Sequence, residues 1–321
     1  FFLIFLILIF SNFKNEYKLT HLVHNPDKAT NLFKDTNKII IKIFFIYTFF
    51  TSLIFIFFTL SGIRLFNSFN LAMSVSSTGA FLPTNELSEI IKYSLQKIIL
   101  IIAVTFSALN IYFFFSIFNN AKVNKKHQED LLILLAIVFF SLILFFSIKE
   151  ISFLNIFFNV VSSLSNSGLA LEKPPGNFYL FFIFITIIGG SIISNSSGIK
   201  LLRLYILFKS TVLEIFKLVS PNVIIDQRIL KTEHKIDNKN LNSSFFIFIC
   251  FFISIFILSS ILTAGGLNFE NSFKLSILTI TNTVNSSLFG LKDIDFFNLL
   301  TSSKIFIILF MVIGKIELIS L

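Results

Sequence analysis

The chain has 321 residues, of which 55% are hydrophobic and only 13% are charged, and its mean hydropathy is +0.87. Soluble globular proteins carry roughly 25% charged residues, so this composition disfavours a soluble enzyme, a disordered chain and a nucleic-acid-binding protein. In so apolar a chain, the net charge of +9 is more typical of basic cytoplasmic loops than of a nucleic-acid-binding surface.

Long apolar runs alternate with shorter ones along the chain. A helix that crosses a bilayer needs about 20 apolar residues. Runs near that length lie at about 39–61, 95–118, 131–148, 177–194, 245–263 and 303–321, and another apolar run opens the chain at 1–10. The shorter segments, rich in Ser, Thr and Asn, lie at about 66–77, 153–164 and 270–282. They are too short and too polar to cross, so we predict that they are re-entrant pore helices.

Most of the lysines and arginines fall in three polar segments, which the positive-inside rule places in the cytoplasm. Those cations are Lys14, Lys18, Lys28, Lys34, Lys38 and Lys42, then Lys122, Lys125 and Lys126, then Lys200, Arg203, Lys209, Lys217, Arg228, Lys231, Lys235 and Lys239. This placement predicts a multi-pass protein of the cell (inner) membrane. Each short segment dips into the lipid bilayer from the outer side and returns.

The short segments resemble one another, which indicates an internal repeat. Phe69 is followed ten residues later by Gly79, and Phe158 is followed ten residues later by Gly168, with Ser-rich sequence between. A third copy begins at Phe273 and lacks the Gly. We therefore expect Gly79 and Gly168 to be equivalent.

A short helix that ends in Ser, Thr and Gly within the membrane leaves main-chain carbonyls that must line a water-filled path. Gly allows successive carbonyls to point the same way, and rings of carbonyls can replace the hydration shell of a monovalent cation. The segments carry no acidic residue near the glycines, which favours K⁺ or Na⁺ over Ca²⁺ or Mg²⁺. We expect no other cofactor, and a filter formed by Ser77, Thr78, Gly79, Asn166, Ser167, Gly168, Asn282, Thr283 and Val284.

Small and polar residues interrupt the apolar run at 177–194, which predicts a flexible intramembrane loop that acts as a gate. The alternative is close packing of a helix through small residues. The gate residues are Gly189, Gly190 and Gly198, with Lys200 at the cytoplasmic boundary. Lys315, in the last run, is predicted to face the pore as an electrostatic barrier, and snorkelling to the interface is the alternative.

The chain resembles the TrkH/KtrB superfamily of bacterial potassium-uptake membrane subunits. The stretches that carry the resemblance are 72–81, 158–169, 188–203 and 313–318, with a weaker match at 220–223. They lie in the order of the family. Position 284 holds Val where the family's fourth repeat has a filter Gly, 192–194 holds bulkier residues in the gate loop, and Lys315 replaces an Arg. Because a β-branched residue resists the backbone angles of Gly, K⁺ selectivity at Val284 is in doubt.

The resemblance implies an all-α pore of four helix–pore loop–helix repeats with pseudo-fourfold symmetry. It also implies a homodimer and a cytoplasmic nucleotide-binding regulatory subunit as partners. Its domains would be 1–12, the tail of a first repeat whose filter lies upstream; 13–38, a cytoplasmic linker; 39–118, repeat 2; 119–208, repeat 3 with a broken second helix; 209–242, an amphipathic linker; and 243–321, repeat 4.

The sequence favours a K⁺ conduction subunit that is not an enzyme. A Na⁺-permeable or weakly selective transporter is the first alternative. A non-conducting membrane protein or a membrane enzyme is the second. An enzyme would need clustered catalytic groups, and the acidic pairs Glu86/Glu89, Glu129/Asp130 and Asp293/Asp295 have no His or Ser partner at a defined spacing.

Overall fold

The computed structural model describes residues 36–84, 86–110, 113, 128–192, 194–219, 236, 238–284, 287–291, 294, 296 and 299–316. The secondary structure in these residues is helical. The α-helices are α1 Thr36–Leu60, α2 Leu65–Ser77, α3 Ser94–Ala108, α4 Gln128–Ser147, α5 Phe153–Leu164, α6 Tyr179–Ile188, α7 Leu201–Val219, α8 Asn238–Ala264, α9 Phe269–Ile280 and α10 Thr301–Ile316. Short 3₁₀ turns follow α2, α5 and α9 at Leu87–Glu89, Gly176–Phe178 and Ser287–Phe289.

One unit of long helix, short helix and further helix occurs three times. The short helices α2, α5 and α9 begin after Arg64, Ser152 and Asn268, whose extended backbones start each helix. Their bounds match the short segments predicted from composition. Each short helix packs against the helix before it and the helix after it.

Each unit contacts the next one through the short helix of that next unit. The last helix of the first unit, α3, packs against the short helix α5 of the second, and α6 packs against α9 of the third. The short helices therefore lie at the centre of the assembly, where Phe158, Leu164 and Leu278 are fully buried. The longer helices form the periphery.

The second helix of the middle unit is broken, as the sequence predicts. Helix α6 ends at Gly189, whose φ of +69° is incompatible with a continuing right-handed helix. Helix α7 begins at Leu201 after a loop, residues 189–200, which we call the gate loop. Since α7 continues to Val219, the boundary drawn between 208 and 209 lies inside a helix.

The outer surfaces of the long helices are apolar. Leu60, Phe146 and Phe256 each expose more than half of their side chain, a surface that suits lipid and not water. By length and composition, Gln128–Ser147 and Asn240–Ala264 could each span a bilayer, and shorter apolar helices accompany them. The architecture is that of an all-α polytopic membrane protein.

Several predicted features lie outside the described residues. These are the segment 1–12, most of the linker 13–38, the basic segment around 122–126, the motif at 220–223 and the position Ile193.

Candidate functional site

The three short helices end in the same backbone turn. The equivalent residues are Thr78, Asn166 and Asn282, each fourteen positions after the residue that precedes its helix. All three adopt the left-handed conformation, with φ of +53°, +58° and +59°. The next residue donates its N–H to a carbonyl five positions back in all three: Gly79 to Ser74, Ser167 to Ser162, and Thr283 to Leu278. These shared hydrogen bonds fix the register of the repeats. We call 78–80, 166–168 and 282–284 the filter turns.

This register corrects the equivalence expected from the sequence. Gly79 aligns with Ser167 and Thr283, not with Gly168, and its φ is not positive. The position of Gly168 is occupied in the first unit by Ala80, whose φ is +55°. In the third unit it is occupied by Val284, which has no positive φ, as expected for a β-branched residue. Sequence reasoning missed Ala80 because alanine seldom adopts this conformation.

The filter turns converge on one another. A methyl group added to Gly168 would lie 3.3 Å from the Ala80 Cβ atom and 3.3 Å from the Thr283 Cα atom. Thr78, Asn166, Ser167 and Thr283 are almost fully buried. Within the part of the chain that the structure describes, no group donates a hydrogen bond to the main-chain oxygens of 78–80, 166–168 or 282–284. Buried carbonyls are nearly always paired. Because these oxygens receive no hydrogen bond from the described residues, they are available to bind a ligand.

The electrostatics of this point favour a cation. Three helices, α2, α5 and α9, end where the filter turns meet, and the carboxyl end of a helix carries about half a negative charge. The turns supply only neutral hydroxyl, amide and carbonyl groups. The arrangement can therefore attract and surround a cation without the full charge of a carboxylate.

The gate loop is closed at its base by two glycines. A methyl group added to Gly189 would lie 2.3 Å from the Ser197 carbonyl oxygen, and one added to Gly198 would lie 3.0 Å from the Thr186 and Ile187 carbonyl oxygens. The Ile199 N–H donates to the Ile187 carbonyl at 3.0 Å. Close packing through small residues and a non-helical loop therefore occur together, although the sequence presented them as alternatives.

The gate loop and the end of α6 together contact all three filter turns. The Thr78 hydroxyl donates to the Asn195 carbonyl at 3.1 Å and the Asn282 amide to the Ser197 hydroxyl at 3.3 Å, both in the gate loop. The Asn166 amide donates to the Thr186 carbonyl in α6 at 2.9 Å. The Asn195 amide donates in return to the Ser76 carbonyl at 2.6 Å. Sequence reasoning placed Asn195 in the loop but gave it no role.

Two lysines stabilise this region. The Lys315 ammonium donates to the Ser77 carbonyl at 3.1 Å, the Thr78 hydroxyl at 2.6 Å and the Asn195 carbonyl at 2.8 Å, so it joins the first filter turn to the gate loop. The Lys200 ammonium is buried and donates to the Ser194 and Ser196 hydroxyls at 3.2 and 3.1 Å, and also to the Ser196 carbonyl. Lys315 therefore contacts the end of α2, while Lys200 fixes the gate loop internally.

The corrected register leads to a first prediction. Gly168→Ala should lower the thermal stability of the purified protein more than Gly79→Ala. The first change places a methyl group against two other filter turns at a φ of +65°, at a cost of about 1–3 kcal/mol. At Gly79 the nearest atoms are the Ser77 hydroxyl and the edge of the Phe81 ring. Equal losses in a thermal melt would support the sequence register instead.

Comparisons with known proteins agree with this architecture. No protein-family model matches the chain. The chain is 27% identical over 279 residues to the Trk system potassium uptake protein TrkG of Escherichia coli (strain K12), which covers 81% of this chain and 55% of TrkG. It is 25% identical over 272 residues to the uncharacterized cation transporter MJ1485 of Methanocaldococcus jannaschii, which covers 79% of this chain and 52% of that protein.

The fold also matches a solved structure. The crystal structure of the potassium transporter TrkH from Vibrio parahaemolyticus superposes with a TM-score of 0.80 at 18% identity, covering 89% of this chain and 64% of TrkH. The chain spans about half the length of the curated relatives it matches. The resemblance noted from the sequence motifs is confirmed: the chain is similar in sequence to TrkG, a potassium uptake protein, and to a cation transporter, and it shares the fold of TrkH.

Proposed function

We propose that the chain forms part of a K⁺ uptake pathway in which the filter turns strip and bind the cation and the gate loop obstructs its exit. The observation that carries this proposal is the meeting of three filter turns whose main-chain oxygens receive no hydrogen bond from the described residues. Such oxygens can replace the water around an alkali cation. The sequence relatives named for potassium uptake and cation transport support the same assignment, which is transport and not enzymatic catalysis.

The gate is proposed from the position of the loop. Residues 194–197 lie against the filter turns, and the Lys315 ammonium is bound between the two. A cation that leaves the filter turns on this side meets a fixed positive charge and a segment of ordered backbone. Displacement of the gate loop would open the path, since the small residues at its base pack without large side chains.

The proposed function includes a membrane location and partner subunits. The protein would lie in the cell (inner) membrane as a multi-pass subunit, with the filter turns towards the outer side. It would act as a homodimer with a cytoplasmic nucleotide-binding regulatory subunit. A pore of four repeats would need one more such unit beside the three that the described residues form.

Transport of rubidium, a K⁺ substitute, into proteoliposomes tests the proposal. The purified protein should accumulate radioactive rubidium down an imposed potential, and K⁺ should compete better than Na⁺. Vesicles without protein provide the negative control. Uptake no faster than in empty vesicles, from protein that remains folded, would contradict the proposal.

A Na⁺-permeable or weakly selective transporter is the second candidate, and Val284 is the observation that favours it. The first two filter turns have a left-handed residue at this position, Ala80 and Gly168, but the third does not. One of the three turns therefore presents its last carbonyl differently. A filter with unequal sides should discriminate less between cations.

Val284→Gly should therefore raise the preference for K⁺ over Na⁺. Glycine can adopt the left-handed conformation of its counterparts, and we expect the permeability ratio to rise about tenfold, which corresponds to ~1.4 kcal/mol. Reversal potentials in opposing K⁺ and Na⁺ gradients measure the ratio. Val284→Ile, which keeps the β-branch, should leave it unchanged. The hypothesis fails if Val284→Gly and Val284→Ile give the same ratio.

A further inference from the structure

A buried carboxyl group at the start of α4 contacts the gate loop at Ile192, a residue other than those that contact the filter turns. Glu129 is 5% exposed, and its Oε1 atom accepts the Ile192 N–H at 2.9 Å. Its Oε2 atom is buried and has no hydrogen-bond partner among the described residues. A carboxylate is a strong acceptor, and a buried one is costly unless it has a structural purpose. The contact joins positions that are 63 residues apart in the chain.

The same side of the gate loop also rests on the end of α3. The Ser191 N–H donates to the Ala108 carbonyl at 3.0 Å. A methyl group added to Gly190 would lie 2.5 Å from that same oxygen, so the two backbones are in direct contact. Residues 190–192 are thus attached to the end of α3 and the start of α4.

These two attachment points are themselves connected. The Asp130 Oδ1 atom accepts the Asn110 N–H at 2.8 Å, which ties the start of α4 to the chain just after α3. The residues between α3 and α4 carry Lys122, Lys125 and Lys126, the segment predicted to face the cytoplasm.

The gate loop consequently has two sets of attachments. Residues 194–197 contact the filter turns and Lys315, while residues 190–192 contact α3 and Glu129. Hydrogen bonds within the loop connect the two sets: the Gly190 N–H donates to the Ser196 hydroxyl at 2.9 Å, and the Ser194 N–H donates to the Ser191 carbonyl at 3.1 Å. Glu129 therefore acts on the loop at Ile192, without a contact of its own to the filter turns.

We propose that Glu129 is a positioning residue that holds the gate loop in its obstructing position through the Ile192 N–H. Loss of this hydrogen bond weakens the attachment of residues 190–192 and increases the time that the loop spends displaced. The inference rests on the proposed transport function, because only then does displacement of the loop change the flux. The local effect on the loop does not depend on that function.

The first test measures the loop alone. In the purified protein, hydrogen–deuterium exchange resolved to the Ile192 amide should be about tenfold faster in Glu129→Ala, because the hydrogen bond of that amide is lost. Glu129→Gln keeps a carbonyl at the same place and should exchange nearly as slowly as the wild type. Glu214→Ala, which removes an exposed carboxylate on α7, is the matched control and should have no effect. Unchanged exchange at Ile192 in Glu129→Ala overturns the proposal.

The second test measures transport. Glu129→Ala should raise the rubidium flux per folded protein about tenfold, while the ratio of K⁺ to Na⁺ permeability stays that of the wild type. A merely structural role would lower the flux or alter the ratio. If Glu129→Ala does not fold, Glu129→Asp serves instead, since its shorter side chain keeps the charge but cannot reach the Ile192 N–H, and it should shift both measurements in the same direction.

The results separate the two proposals. A wild-type protein that conducts no cation overturns the proposed function. Faster Ile192 exchange in Glu129→Ala would still support the proposal that the Glu129–Ile192 hydrogen bond keeps the gate loop in place. A conducting wild type whose flux is unchanged or lower in folded Glu129→Ala overturns the role of Glu129 and leaves the proposed function standing.

Discussion

Gly314→Ala should strongly destabilise the folded protein. Gly314 lies in α10 with its Cα atom directly against the end of the short helix α9, and a methyl group there would lie 2.0 Å from the Ile280 carbonyl oxygen. Both partners are backbone, so neither can rotate away, and α10 must move off α9. Overpacking of this kind costs about 1–3 kcal/mol or more, so we expect the melting temperature in detergent to fall by roughly 5 °C or more.

Gly176→Ala is the matched control for this prediction. Gly176 has ordinary backbone angles, and the nearest atom to an added methyl group is a ring carbon of Tyr179 at 3.6 Å, an ordinary contact distance. Its melting temperature should equal that of the wild type. A Gly314→Ala protein that is as stable as Gly176→Ala would show that α10 does not contact the end of α9 in this way.

Lys315→Met should increase cation flux by about tenfold or more. The Lys315 ammonium lies between the Ser77 and Asn195 carbonyls, so it places a positive charge beside the path below the filter turns. A unit charge several ångströms from a passing cation contributes more than ~1.4 kcal/mol even at an effective dielectric constant of about 20. The substitution also removes the three hydrogen bonds that Lys315 donates to the Ser77 carbonyl, the Thr78 hydroxyl and the Asn195 carbonyl.

Rubidium flux per folded protein measures this effect. Lys315→Arg keeps the charge and should stay close to the wild-type rate, and Lys92→Met removes an exposed lysine and should change nothing. A flux from Lys315→Met that is equal to or below the wild-type value would mean that the ammonium is not a barrier. It would instead support the reading of Lys315 as a residue that only stabilises the region.

Local features of the fold follow directly from the sequence. The short helices α2, α5 and α9 occur where apolar segments are too short to cross a bilayer, because length alone limits what such a segment can do. The break between α6 and α7 occurs where Gly189, Gly190 and Gly198 interrupt an apolar run. Composition and glycine position suffice for these predictions because both act on the local backbone.

The register of the repeats could not be read from the sequence. The second repeat has two adjacent phenylalanines, Phe157 and Phe158. The Phe-Asn pair that begins with Phe69 matches Phe158 in sequence. The hydrogen bonds instead make Phe157 the counterpart of Phe69 and Phe273. Aligning the repeats on Phe158 shifts the second repeat by one residue. Gly79 is then paired with Gly168, whereas the hydrogen bonds pair it with Ser167. Hydrogen bonds decide the register, and residue types do not encode them uniquely.

The contacts that define the candidate gate could not be predicted from the sequence either. Lys315 was expected to face the pore, but its partners Ser77 and Asn195 are 238 and 120 residues away in the chain. In the sequence, Glu129 and Asp130 form only one of several acidic pairs that lack a catalytic partner. Periodicity reports which face of a helix is apolar, and it says nothing of which distant backbone groups a side chain reaches.

Thallium(I), which replaces K⁺ in protein sites, offers the most direct measurement. In crystals of the protein grown with thallium, the anomalous difference map should show a peak between the main-chain oxygens of the three filter turns, and excess K⁺ should displace it. A well-ordered structure with no peak there, or with thallium bound only at acidic side chains elsewhere, would contradict the account.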